Sequence, residues 1–112
     1  MVPGGTVPRG TVPGGVVPSA ADIAATLAQE RETLRAFGVR RLLLFGSAAR
    51  GEAGKGSDLD FLVDLEPKTF RNYMGLREWL GARFGLPIDL VTVGSLKPAL
   101  LERVQREAVF VA

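Results

Sequence analysis

An α/β or α+β fold built on a small sheet is what this sequence predicts, and three observations carry the prediction. Apolar residues recur at helical spacing after Ser19 and again beyond Thr69. Three short runs of strand character stand at Val39 to Phe45, Asp58 to Leu65 and Pro87 to Val93. The patterns alternate in the order helix, strand, strand, helix, strand, helix, and a length of 112 residues leaves room for one domain.

The first eighteen residues lie outside that pattern. Val2, Val7, Val12 and Val17 are each followed by proline at a period of five, with glycines between. Proline removes a backbone donor and the glycines favour turns, so neither a helix nor a central strand is expected there. Residues 1–18 are read as a flexible Pro/Gly-rich leader, and residues 19–112 as the folded domain.

Ser19 is a good N-cap with Asp22 three residues on, and Ile23, Leu27, Leu34 and Phe37 return to one side of a helix that Gly38 closes. Val39 to Phe45 holds Leu42, Leu43 and Leu44 unbroken, as expected for a strand covered on both faces. After a glycine-rich loop, Asp58 to Leu65 supplies a second strand that Pro67 ends. Phe70, Tyr73, Met74, Leu80 and Phe84 then predict a helix from Thr69 to Arg83, with Gly85 as its stop. Pro87 to Val93 is the third strand, its proline tolerable at a first or edge position. Ser95 is placed to cap a last helix carrying Leu100, Leu101, Val104 and Ala108, whose apolar residues are expected in the core.

Composition excludes several function classes. Hydrophobic content of 46% and charged content of 23% are those of a soluble globular protein. No apolar run reaches the ~20 residues of a membrane span, and no secretory signal pattern opens the chain, so a cytoplasmic location without membrane association is expected. The chain has no cysteine and no histidine, which removes disulfides, thiolate and histidine metal sites, and a Ser-His-Asp triad. A net charge of +2 with no basic block gives little support for nucleic-acid binding. Acid, base or metal chemistry must therefore run on carboxylates.

Two carboxylates stand out. Asp58 and Asp60 flank Leu59 at the head of an apolar strand, and alternate strand residues share a face, with Cα atoms ~6.5 to 7 Å apart. Like charges so placed repel, and a hard divalent cation relieves them; such acids can hold two metals ~3.5 to 4 Å apart. Upstream, Gly46 permits close backbone approach to a ligand and Ser47 offers a hydroxyl and an amide donor; a short helix beginning at Ser47 would make an anion site. Asp89, between Ile88 and Leu90, is the third candidate: beside the first pair it could hold metal or accept a proton from an attacking hydroxyl. Two rival motifs fail. A P-loop would need glycine at Ala49 and Ser or Thr at Gly56, and an EF-hand would need a turn glycine and oxygen ligands where Phe61 to Val63 stand.

Gly46-Ser47 followed after ten residues by Asp58-Leu59-Asp60 resembles the pattern of the DNA polymerase beta nucleotidyltransferase superfamily. More closely, FGSAARGEAGKGSDLDFLV with a later IDLVT is similar to the minimal nucleotidyltransferase (MNT) domain proteins, over about Ser19 to Val111. That resemblance implies a small mixed β-sheet backed by helices. It implies that Asp58 and Asp60 bind two Mg2+ ions carrying the triphosphate of ATP, with Asp89 as third metal-binding and hydroxyl-activating carboxylate. Gly46 and Ser47 would hold the β and γ phosphates, and Arg50 would serve phosphate or partner. It further implies a partner, a HEPN-domain toxin whose tyrosine receives AMP, with this chain as the antitoxin. Two other functions stay open on the sequence: a small-molecule (aminoglycoside-type) nucleotidyltransferase, disfavoured because no added substrate domain is visible, and a non-catalytic toxin-binding module.

Overall fold

The computed structural model describes residues 18–51 and 58–112. Apart from Pro18, the leader expected over residues 1–18 lies outside the described residues. Helix α1 runs from Ala20 to Ala28, and the expected cap at Ser19 forms: its Oγ accepts the Asp22 N–H at 3.1 Å while its own N–H donates to Asp22 Oδ2 at 3.4 Å. The single helix expected up to Gly38 is two, with α2 spanning Arg31–Ala36. The Gln29 and Glu30 amides bond carbonyls three residues back, at Thr26 and Leu27, which tightens the last turn and ends α1. No glycine or proline marks that break; Glu30 instead meets Arg83 at 3.4 Å, a tertiary contact that periodicity does not report.

Four strands follow the chain as β1 (Val39–Phe45), β2 (Leu59–Leu65), β3 (Ile88–Thr92) and β4 (Val109–Phe110). They form one mixed sheet in the order β3-β2-β1-β4, with β2 antiparallel to β1, β3 parallel to β2, and β4 antiparallel to β1. A four-residue helix, α3 (Gly46–Ala49), leaves the end of β1, and α4 (Phe70–Phe84) connects β2 to β3. Thr69 caps α4 through the Asn72 amide, and Gly85, at φ 66°, ends it in the left-handed conformation expected of a stop residue.

One face of the sheet carries the core. Leu42, Leu44, Leu59, Phe61 and Val63 meet Ile23 and Leu27 of α1 and Leu76, Leu80 and Phe84 of α4. Phe70, on the apolar spacing that predicts α4, is 81% exposed in the helix's first turn. The other face is covered less fully: Leu62 is buried but Leu43 is only half-buried, so β1 is more open on that side than its unbroken leucines predict.

The chain's end also departs from expectation. Ser95 does not cap the last helix; it closes a 3-10 turn, Val93–Ser95, donating its hydroxyl to the Thr92 carbonyl at 2.8 Å. Helix α5 runs from Pro98 to Glu107 with proline in its first turn, where the missing N–H costs no hydrogen bond. None of its residues is buried, and Leu100 is 47% exposed, so its apolar side is not part of the core. The terminal Val109 and Phe110 add β4, a two-residue strand too short for an alternating pattern to reveal. No helix among the described residues is long and apolar enough to cross a membrane.

Candidate active site

Strands β2 and β3 bring the acids together through register. Leu59 donates its N–H to the Pro87 carbonyl at 3.0 Å, and the parallel pairing that follows sets Asp60 opposite Asp89. Alternation turns both away from the helix-covered core, while Leu59, Phe61 and Leu90 on either side stay buried. The apolar neighbours thus fix the backbone that holds the carboxylates. Asp58 lies just before β2, is exposed, and shares the parity of Asp60.

The other wall is the turn from β1 into α3. Phe45 pairs with Asp60 in the antiparallel ladder, so the residue after it emerges beside that carboxylate. Gly46 adopts φ 74°, and a β-carbon there would collide with Asp60 Oδ2. Only glycine fits, for both the backbone angle and the space. The short helix begins at Gly46, one residue earlier than the sequence predicts, and the first turn of a helix leaves amides without intrahelical acceptors. Ser47 is half-buried in that turn, and Arg50 caps its end.

Electrostatics ties these groups into one cluster. The Asp60 carboxyl is pushed above its ordinary range by burial first, then by the charges of Asp89 and Asp58 and by a side-chain hydrogen bond with Asp89; the Arg50 guanidinium opposes the shift. So Asp60 and Asp89 share a hydrogen bond, and Asp58 acts on Asp60 through charge. Among the described residues no three metal-type side chains converge as a ready ligand set. The donor chemistry still fits a hard cation: oxygen-only ligands, two in contact, whose mutual repulsion a divalent ion would cancel.

Sequence reasoning placed Gly46, Ser47, Arg50, Asp58, Asp60 and Asp89, and the fold assembles them at one end of the sheet. It missed Tyr73, read only as an apolar helix position: its hydroxyl donates to the Leu90 carbonyl and ties α4 to the strand carrying Asp89. A tyrosine on a core-facing stripe needs a partner for its hydroxyl, and that requirement was the available signal.

Comparison with known proteins finds relatives of this sequence and this fold. A family model described as a nucleotidyltransferase domain matches residues 26–111. The protein adenylyltransferase MntA of Thermococcus cleftensis is 44% identical over 85 residues, spanning 75% of this chain and 86% of that relative. A solved structure described as a minimal nucleotidyltransferase superposes with a TM-score of 0.64 at 38% identity, covering 77% of this chain and 93% of the other. A toxin-antitoxin crystal structure with AMP-PNP matches at a TM-score of 0.63 and 22% identity, over 76% of this chain and 71% of that one, a likeness of fold.

Proposed function

The chain belongs to the nucleotidyltransferase domain family and is a nucleotidyltransferase; on that premise we propose that it moves AMP from ATP to a hydroxyl of a partner protein, as the antitoxin of a toxin-antitoxin pair in the cytoplasm. The observation that carries this reading is the Gly46 backbone pressed against Asp60, itself in register with Asp89. A phosphate-binding turn and an acidic pair share one small site. The relative named a protein adenylyltransferase supports a protein acceptor, and the fold it shares with a toxin-antitoxin structure containing AMP-PNP supports the pairing and the nucleotide. We infer that the acceptor is a tyrosine of a HEPN-domain toxin.

Each residue has a task in this reading. Asp58, Asp60 and Asp89 would hold two magnesium ions, which when bound offset the negative charge of the triphosphate. Gly46 and Ser47 receive the β and γ phosphates through backbone amides and the serine hydroxyl, and Arg50 adds positive charge on the same side. Asp89, exposed at the edge strand, accepts the proton of the incoming hydroxyl. The acceptor oxygen bonds to the α-phosphorus as the bond to the β-phosphate oxygen breaks, and pyrophosphate leaves. Such a transfer asks the protein for positioning, charge compensation and a proton acceptor, and for no covalent intermediate.

The test uses ATP labelled at either the α or the γ phosphate, with magnesium and the product of the adjacent gene. The α label should stay on that protein, the γ label should leave with pyrophosphate, and Asp60→Ala should abolish labelling. Retention of the γ label would mean phosphoryl transfer instead. Neutralisation of the toxin by Asp60→Ala, with no adenylate on it, would make the chain a binding module.

A further inference from the structure

At the end of β1 remote from the phosphate turn, a cleft of about 290 Å³ opens between α2 and the β1–β4 edge. Its floor is apolar and belongs to the core: Leu27, Leu34 and Val111 are at most 5% exposed, and Phe110, 63% exposed, stands at the mouth. Arg31, Arg35 and Arg40 line its rim, all exposed. Among the described residues these three form no ion pair, and neither do Arg41, Arg71 and Arg77, whereas Arg83, Arg103 and Arg106 each face a glutamate; the cleft brings its three around one apolar floor. Three uncompensated guanidinium groups around an apolar floor make a site for carboxylates flanking a large apolar side chain.

We propose that this cleft docks an acidic helical segment of the protein acceptor, with one large apolar side chain on the floor and carboxylates on Arg31, Arg35 and Arg40. The proposal rests on the reading of the acceptor as a protein. Arg31 and Arg35 are four apart on α2, so their Cβ atoms stand ~6 Å from each other, the spacing of two acids at i and i+4 on a facing helix. Among the described residues no side-chain carboxylate pairs with these arginines, and Ala112, the last residue, lines the same cleft. Residues 1–18 carry Arg9 and no carboxylate, and Glu102 and Glu107 of the exposed α5 are already paired with arginines of their own helix. A cleft this small lies at the lower limit of ~300 Å³ for small-molecule sites, which suits a side-chain anchor better than a nucleotide. Nor does an apolar floor with three cations resemble a track for a phosphate backbone. Val39 and Arg40 stand seven and six residues before Gly46 along β1, ~20 Å away, and Phe110 pairs with Leu43, ~10 Å from that turn, so a segment docked between α2 and the start of β1 leaves the acidic site clear for the acceptor hydroxyl.

Fluorescence anisotropy with a labelled helical peptide bearing leucine between glutamates at i and i+4 tests the proposal on the full chain. The peptide should bind wild type and Asp60→Ala alike, more weakly as salt rises, and about tenfold or more weakly after Arg31→Glu, Arg35→Glu and Arg40→Glu together. If that variant melts below wild type, the triple Arg→Gln variant should show the same direction of loss. No binding to wild type, equal binding to the triple variants, or equal binding of a lysine-for-glutamate peptide would overturn it. So would a labelled single-stranded RNA that binds more tightly than the peptide and depends on the same arginines. The two readings fail separately. Peptide binding by a chain that transfers no AMP would sink the reaction and leave the docking site; AMP transfer to the toxin with unchanged KM in the triple variant would do the reverse.

Discussion

A β-carbon at Gly46 would strike Asp60 Oδ2 and lie 3.1 Å from Asp60 Cγ, and the φ of 74° would strain any side chain there. Gly46→Ala should therefore fold yet lose AMP transfer by about 100-fold, since the turn and the acid cannot both keep their places. A labelled-ATP assay beside a melting curve checks this, and near-normal transfer in a folded variant would contradict it. Asp60 makes a second prediction. Burial, then the charges of Asp89 and Asp58, hold its carboxyl above the ordinary 3.8. Between that value and the raised one the native state binds the extra proton, so stability falls as pH rises through this window, and the penalty is full above it. In EDTA, Asp60→Asn should melt above wild type at neutral pH, the gap closing once pH falls below about 4. Magnesium should raise the melting temperature of wild type and leave the variant unmoved. An asparagine variant that melts lower at neutral pH would mean that Asp60 is not under electrostatic stress.

Strand β2 is apolar because it must hold acids in place: Leu59, fully buried, sits between Asp58 and Asp60 and fixes the backbone from the core side. Leu59→Ala should cost about 2–5 kcal/mol in urea unfolding. It should also slow transfer at temperatures where the variant is folded, and unchanged kinetics would separate the core from the site. The alternation that reveals this strand is what made the site legible from sequence. Asp58 and Asp60 announce one face, Leu59, Phe61 and Val63 the other, and Gly46 and Asp89 stand at the ends of two further apolar runs. Where an element depends on distant contacts, the sequence was silent. The break at Gln29 and Glu30 carries no turn residue, β4 is too short for periodicity, and the apolar stripe of α5 reads the same whether buried or not. That Asp60 faces Asp89 follows from the register of two strands joined only through α4, which no local pattern states.

Across the whole molecule, the acids and the Gly46 turn lie where β1 ends and β2 and β3 begin, and the proposed docking cleft runs from Val39 and Arg40 at the start of β1 to Phe110, opposite Leu43. The fold class was readable in advance, and the mixed sheet through the family resemblance; the cleft was not, because its floor comes from α1, α2 and the residue after β4 together. Apart from Pro18, the leader expected over residues 1–18 lies outside the described residues. Removing Met1 to Pro18 should leave melting temperature and AMP transfer unchanged, and a lower melting temperature on truncation would show that the repeat packs on the domain. In the proposed reaction three carboxylates and one turn act as a single metal and triphosphate site. Its most direct measurement is the rate of AMP incorporation from ATP and magnesium into the toxin for Asp58→Asn, Asp60→Asn and Asp89→Asn. Each should fold and each should lose at least about 100-fold, as removal of one group from a preorganised charged site does. A folded Asp60→Asn that transfers AMP at the wild-type rate would contradict the account.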